Sequence, residues 1–294
     1  MARDNTGWIV LGLLVAGAAG AGAYYWRRRR SGGAGSSTEE DVKTTPAADG
    51  GTWPPAVGQW DQVLLLNQGQ TPILRSGNVL AWQGHLVLDD DGDPMCYNPA
   101  DWGTLNGREP LGRDAPENAV GSWKPGGGRA ITDVAKWAGV VTGPDGQPLV
   151  QGEGDPAPGF WISQTALGDH NYPASDPRRF VNAWEIPYLS IPAQLRDQGA
   201  QLGDVAAVEY GNQVCFAILA DIGPSGKIGE GSPALARALG LPDNPRSGST
   251  RDGLTTYVFA GSGNKKPLSV DEIYARAQPL YERLFSSGPS ASVA

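Results

Sequence analysis

Residues 219–232 read Leu-Ala-Asp-Ile-Gly-Pro-Ser-Gly-Lys-Ile-Gly-Glu-Gly-Ser. An apolar run ends in Asp221, the Gly223-Pro224-Ser225-Gly226 segment turns the chain, and Glu230 follows nine residues after Asp221. The run before it, Gln213–Ala220 (QVCFAILA), is almost continuously apolar and predicts a strand buried on both faces. Asp221 then stands where that strand leaves the core. After Glu230, Ser232-Pro233 offers an N-cap with proline at the first helical position, and Gly240 supplies the stop. Both carboxylates therefore sit on or beside rigid elements. Acids at strand ends and turns are often only solvated. Two of them facing each other would be an acid–base pair. Glycoside hydrolysis needs such a pair, about 6.5–9.5 Å apart for inversion and about 5–5.5 Å for retention. A nine-residue excursion can meet either distance.

Outward from this stretch, short apolar runs bounded by turn residues predict further strands at Val63–Leu66, Val79–Trp82, His85–Leu88, Gly139–Thr142, Gly159–Ser163, Tyr188–Ile191, Asp204–Tyr210 and Thr255–Ala260. Ser269–Glu272 (SVDE) matches a capping box leading into a helix over Ile273–Leu284, which Pro279 should kink or interrupt. With 42 glycines and 24 prolines in 294 residues, the fold class is mainly β, a β-rich α+β domain with a few short helices.

The net charge is −8. Residues 1–30 carry five arginines against one aspartate, so the remainder of the chain holds −12. An acidic globule repels nucleic acid and attracts cations, including polycationic polymers. Two cysteines, Cys96 and Cys215, do not make a disulfide framework, and with only two histidines a His/Cys zinc site is not expected. No metal or other cofactor is expected. Ten tryptophans and nine tyrosines against five phenylalanines suit either a sugar-stacking surface or a core.

Trp8–Trp26 (WIVLGLLVAGAAGAGAYYW) is an uncharged run of 19 residues, enough to cross a bilayer once. Trp8, Tyr24, Tyr25 and Trp26 resemble interfacial anchors, and Arg27–Arg30 stop the segment. The charge follows the apolar run, so an uncleaved anchor is preferred to a signal peptide. The expected organisation is a transmembrane anchor at 1–30, a flexible Gly/Ser/Thr/Pro linker at 31–55, a catalytic domain at 56–285 and a disordered tail at 286–294. The arginine cluster favours a cytoplasmic side for that domain, while a polysaccharide substrate would require an extracellular or cell-wall-facing one.

ADIGPSGKIGEGSPALARALGL resembles the core signature of glycoside hydrolase family 75, the chitosanases. Upstream, LVLDDDGDPMCYNP, DPAPGFWISQTALGD, DPRRFVNAWEIPYLSIP and LGDVAAVEYGNQVCFAI resemble family segments in the same order, over roughly Leu86 to Leu241. The resemblance implies a double-psi β-barrel core and an inverting, endo-acting hydrolase of β-1,4-linked chitosan. It places the family's catalytic aspartate and glutamate at Asp221 and Glu230. Glu230 is then expected to be the more enclosed of the two and the general acid, Asp221 the base that activates water, and Lys227 a charge that lowers either pKa. Peptidoglycan glycan of a phage or bacterial cell wall is the alternative substrate, and a non-catalytic glycan-binding protein the alternative class.

Asp89, Asp91 and Asp93 have the spacing of the first ligands of a calcium loop, but Pro94 stands where glycine is required and no glutamate closes the loop. The family segment makes Asp89 and Asp91 a cleft wall instead. Asp89, Asp91, Asp169 and Lys227 are the expected substrate-binding residues. Asp169-His170 also reads as a surface loop pair. Asp204 reads as structural, and Gly126-Gly127-Gly128-Arg129 as a loop that lacks the rest of a phosphate-binding motif.

Overall fold

The computed structural model describes residues 44–46, 53–55, 58–103, 105–120, 131, 134, 136–247 and 252–286. The expected membrane anchor at 8–26, the arginine stop, most of the linker, the Gly126–Arg129 loop and all but the first residue of the tail lie outside them. Among the described residues, no helix is long and apolar enough to cross a membrane.

Ten strands form one mixed sheet: β1 (Thr44–Pro46), β2 (Asp61–Leu66), β3 (Thr71–Ser76), β4 (Val79–His85), β5 (Val87–Leu88), β6 (Tyr188–Ser190), β7 (Val205–Tyr210), β8 (Gln213–Asp221), β9 (Glu230–Gly231) and β10 (Asp252–Phe259). Their order is β2-β3-β4-β10-β7-β8-β6-β9-β5, with β1 pairing the start of β8. Among the described residues, three α-helices complete it: α1 (Ala193–Asp197), α2 (Pro233–Ala238) and α3 (Val270–Ser286). The β-rich architecture with few short helices is as the sequence indicates.

β8 shows why its sequence is apolar throughout. Cys215, Ala217 and Leu219 face one core with Leu80, Trp82, Leu189 and Leu235. Val214, Phe216, Ile218 and Ala220 face a second with Tyr188, Tyr257 and Tyr281. Alternation along a strand sends neighbours to opposite faces, and here both faces are covered. α2 seals the first face through Leu235 and α3 the second through Ile273, Ala277 and Tyr281. The Ser232 hydroxyl caps α2 by accepting from the Leu235 N–H, and Glu272 with Ser269 forms the capping box of α3.

The two ends of the strand order meet. At the β2–β3 turn, Asn67 donates its backbone N–H to Gly226 O and its side-chain amide to Ile228 O, and accepts from the Ile228 N–H. Leu66 and Ile73 from one end share the first core with Leu86 and Ile228 near the other. The sheet is therefore curled upon itself.

Several local expectations differ from the structure. α3 runs through Pro279 without interruption. Pro279 and Ala275, whose carbonyl loses its donor, are both exposed, while Ile273, Ala277 and Tyr281 are buried on the other face. β3 was not among the expected strands; it carries Pro72, but β3 meets β4 only over Leu74–Ser76, leaving Pro72 beyond the ladder that would need its N–H. Gly139–Thr142 and Gly159–Ser163 make only single bridges, such as Val140 with Ser163. Within the expected linker, Thr44–Pro46 pairs with Gln213–Cys215. Cys96 and Cys215 are buried free thiols. No described tryptophan is exposed. Trp102, Trp137 and Trp161 pack edge-on in a third cluster, and Trp184 lies between Arg113 and Arg237 at 3.7 and 4.5 Å. Asp204 is structural: its carboxylate accepts from the Gln201, Gly261 and Gly263 N–H groups.

Candidate active site

The site is built around β6. Ser190 pairs with Asp221 on β8 and with Glu230 on β9. Tyr188 opposes Ile218 and Leu189 opposes Leu219, and then the register shifts so that Ser190 opposes Asp221 rather than Ala220. Without that shift, alternation would place Asp221 on the face of Leu219. With it, Asp221, Ser190 and Glu230 share one face. An extra residue in one strand re-aims a side chain in this way. Two strand spacings separate the backbones of Asp221 and Glu230, about 9.5 Å.

Asp89 comes onto the same face from the chain just beyond β5. Val87 is the parallel partner of Glu230, and the Asp89 N–H donates to Gly231 O. The Ser190 hydroxyl donates to Asp89 Oδ2 in a very short contact. Asp91 follows, its Oδ1 accepting from the Tyr97 hydroxyl at 2.8 Å. Tyr188 clamps this bend by donating to the carbonyls of Asp89 and Asp91. Carboxylate oxygens of Asp89, Asp91 and Asp221 all lie within 4.8 Å of one another, close enough to share one hard cation. The calcium-loop spacing is thus not used as spaced: Asp93 turns away to pair with Arg113 at 2.9 Å. Asp90 also faces away. Burial first, then Asp93, push its carboxyl well above the ordinary range, against the pull of Arg113 and the Cys96 thiol.

Asp91, Asp221 and Glu230 hold their protons more tightly than free carboxylates. Burial, then the charge of Asp89, push Asp221 up to about 7 against the N–H donations of Ala166 and Ile222, and Glu230 adds to the rise. Burial and Asp89 likewise push Glu230 up to about 7, while Lys227 pulls it down. Burial, then Asp89 and Asp221, raise Asp91 well above its usual range. Asp89 is therefore the charge common to all three. Asp221 Oδ1 accepts the Ala166 N–H at 2.7 Å, which fixes its carboxyl plane. Glu230 rests against Gly223, where an added Cβ would lie 2.6 Å from Glu230 Oε2. Asp221 and Glu230 are both half-buried, so solvent exposure does not set Glu230 apart as the more enclosed.

Asp221 and Asp91 open into a cleft of about 470 Å³, with the exposed Ile222 beside them and Arg179, His170 and Phe180 among its other walls. Glu230 is not part of that wall and stands across the Ser190 ridge from it. Of the other expected binding residues, Lys227 is exposed beside Glu230. Asp169 does not join the acids: its carboxylate caps its own turn by accepting the Asn171 N–H, and His170 lines the cleft instead. Sequence reasoning missed Ser190, Tyr97, Gly223 and Arg179. Only Gly223, inside the Asp221–Glu230 turn, carried a signal at sequence level.

No protein-family model matches the chain, and no curated protein matches it. The resemblance to family 75 rests on the quoted segments.

Proposed function

We propose that this chain is a glycoside hydrolase that cleaves β-1,4 bonds within chitosan or a related amino-sugar polymer, with inversion at the anomeric carbon. The observation that carries this reading is the register shift that sets Asp221 and Glu230 on one face, either side of Ser190. Two strand spacings between their backbones allow the wider carboxyl separation, which leaves room for water. Asp221, oriented by the Ala166 N–H, is the general base and takes a proton from the attacking water. Glu230 is the general acid and gives its proton to the leaving oxygen as the bond breaks. Carboxyls near 7 suit both roles at neutral pH, because a catalytic group works best with a pKa near the working pH. The Asp89 carboxyl lies on the same face, held by the Ser190 hydroxyl, where a carboxylate would favour the positive charge that develops on the sugar ring. After turnover, Glu230 recovers a proton from solvent and Asp221 releases one.

A double-psi β-barrel is the finer fold that fits this reading, supported by the sheet curled upon itself at Asn67. Residues 8–26 anchor the chain in a bilayer, and the domain works outside the cell or facing the wall, where such polymers occur. The acidic charge suits an ammonium-bearing polymer and disfavours nucleic acid.

The test is product release from soluble chitosan and from peptidoglycan glycan strands by the full chain, with the anomer of the first product read by NMR. Asp221→Asn and Glu230→Gln are compared after their folding is checked. The account expects the inverted anomer and a loss of about 10²–10⁴-fold in each variant. A wild-type chain that binds either polymer without cleaving it would replace the hydrolase by a glycan-binding protein. Activity that survives both variants would remove the acid pair.

A further inference from the structure

The cleft that ends in Asp221 and Asp91 carries a cation at its other side. Arg179 is half-buried there, and among the described residues no carboxylate pairs with it. Its neighbour Arg178 differs: that guanidinium is held by Asp176 through two nitrogens. Arg179 is instead fixed by neutral partners. One terminal nitrogen donates to Tyr172 O and the other to His170 Nδ1, each at 2.7 Å. A guanidinium has no acceptor, so Nδ1 of His170 must accept and Nε2 carries the proton. The stem of Arg179 lies over Gly168, where an added Cβ would stand 3.2 Å from its Cγ, so the bare glycine makes room for it. The backbone joins this group to the acids: Leu167 N–H donates to Ala220 O, Gly168 bridges Phe180, and Asp169 N–H donates to Arg179 O. Ala166, which holds Asp221, is two residues from Gly168, roughly 7 Å along an extended chain.

A polymer bearing only ammonium groups would gain nothing from such a cation. A carboxylate on the substrate would, because a guanidinium presents a planar fork of donors that matches it. We propose that Arg179, positioned by His170, Tyr172 and the space over Gly168, forms a subsite for a carboxylate on a sugar unit next to the one cleaved. The substrate class is then an amino-sugar polymer with carboxylate-bearing rings, as in the lactyl ethers of peptidoglycan glycan, rather than plain chitosan. The inference rests on the hydrolase reading for its geometry but is separable from it by experiment.

The experiment compares peptidoglycan glycan strands with the same strands after their carboxylates have been reduced to alcohols. Binding and cleavage are both measured for the full-length wild type, Arg179→Ala and Arg179→Lys, with thermal melting as the folding check. The proposal expects about tenfold or greater preference of the wild type for the carboxylate form, loss of that preference in Arg179→Ala with the reduced strands handled as before, and partial recovery in Arg179→Lys. Equal handling of both polymers by the wild type, or an equal loss on both in a folded Arg179→Ala, overturns the subsite and leaves the hydrolase standing. Binding that discriminates through Arg179 without any cleavage keeps the subsite and overturns the hydrolase. Neither binding nor cleavage of either polymer overturns both.

Discussion

Two groups of covered acids in this molecule behave in opposite ways. The Asp101 side chain has no solvent exposure. Burial alone would raise its pKa, but the Gly112 and Leu111 N–H groups, Arg108 and Arg246 all point at it, and the carboxyl is held below its usual range. Asp221 and Glu230 are half-buried, their neighbours include Asp89 rather than arginines, and both are pushed up to about 7. Burial does not decide the charge of an acid; the balance between donors and like charges around it does. The first group ties the loops around Pro99–Asp101 and Pro245–Ser247 together. The second stores a proton at the mouth of a cleft. Among the described residues, two arginines pair directly with Asp101, whereas none pairs with Asp221, Arg179 standing elsewhere in its cleft, and Lys227 lies beside Glu230.

The sharpest way to break this comparison is to neutralise one acid from each group. Asp221→Asn should lose about 10²–10⁴-fold in hydrolysis, up to about 5 kcal/mol in the barrier, and keep its fold. Asp101→Ala should do the reverse. It leaves Arg108, Arg246 and two backbone N–H groups without their acceptor and should cost about 3 kcal/mol of stability, read from denaturant unfolding. An active-site role for Asp101, or a structural collapse of Asp221→Asn, would dissolve the distinction.

Next in size is the pH dependence of stability. Unfolded, Asp221 and Glu230 titrate near 4; folded, near 7. The native state therefore binds more protons between these values, and stability falls as pH rises from about 4 to about 7, levelling above it. The two groups should together contribute several kcal/mol across that window. Asp101 works in the opposite sense: its stabilisation is present above the ordinary carboxylate range and is lost as pH falls through its depressed folded pKa. Melting temperature against pH for the wild type and Asp221→Asn checks this, and the variant should show the shallower decline.

A smaller effect is expected at Gly223. An added methyl group meets only the flexible end of Glu230, so Gly223→Ala should fold with little loss of stability. It should still lower hydrolysis by about tenfold, because the general acid is displaced from its position. Matched melting curves with equal activity would show that the Glu230 position does not matter to the reaction.

Much of the scaffold could be read from local sequence. The apolar run of β8, the Ser232 cap of α2 and the SVDE box of α3 are each dictated by neighbours a few residues away. Asp221 was legible as a strand-end acid for the same reason. What aims it was not, since the shift at Ala220 arises from pairing with Ser190, some 30 residues upstream in sequence. Asp89 and Asp91 were legible as a pair but suggested a loop of three ligands, and only tertiary contact sends Asp93 to Arg113 and brings Asp221 in. Arg179 looked like its neighbour Arg178; Asp176 separates the two by pairing with one and not the other. The tryptophans gave no indication of which face they would take, and the described ones went into the interior.

The central claim is that the face around Ser190 holds carboxyls poised to carry a proton near neutral pH. It is tested most directly by following the side-chain carboxyl carbons of Asp221, Glu230 and Asp101 by NMR as pH is varied. The account predicts midpoints near 7 for Asp221 and Glu230, and one below the ordinary carboxylate range for Asp101. Midpoints near 4 for Asp221 and Glu230 would contradict it, because both groups would then be fully ionised at neutral pH and no general acid would remain.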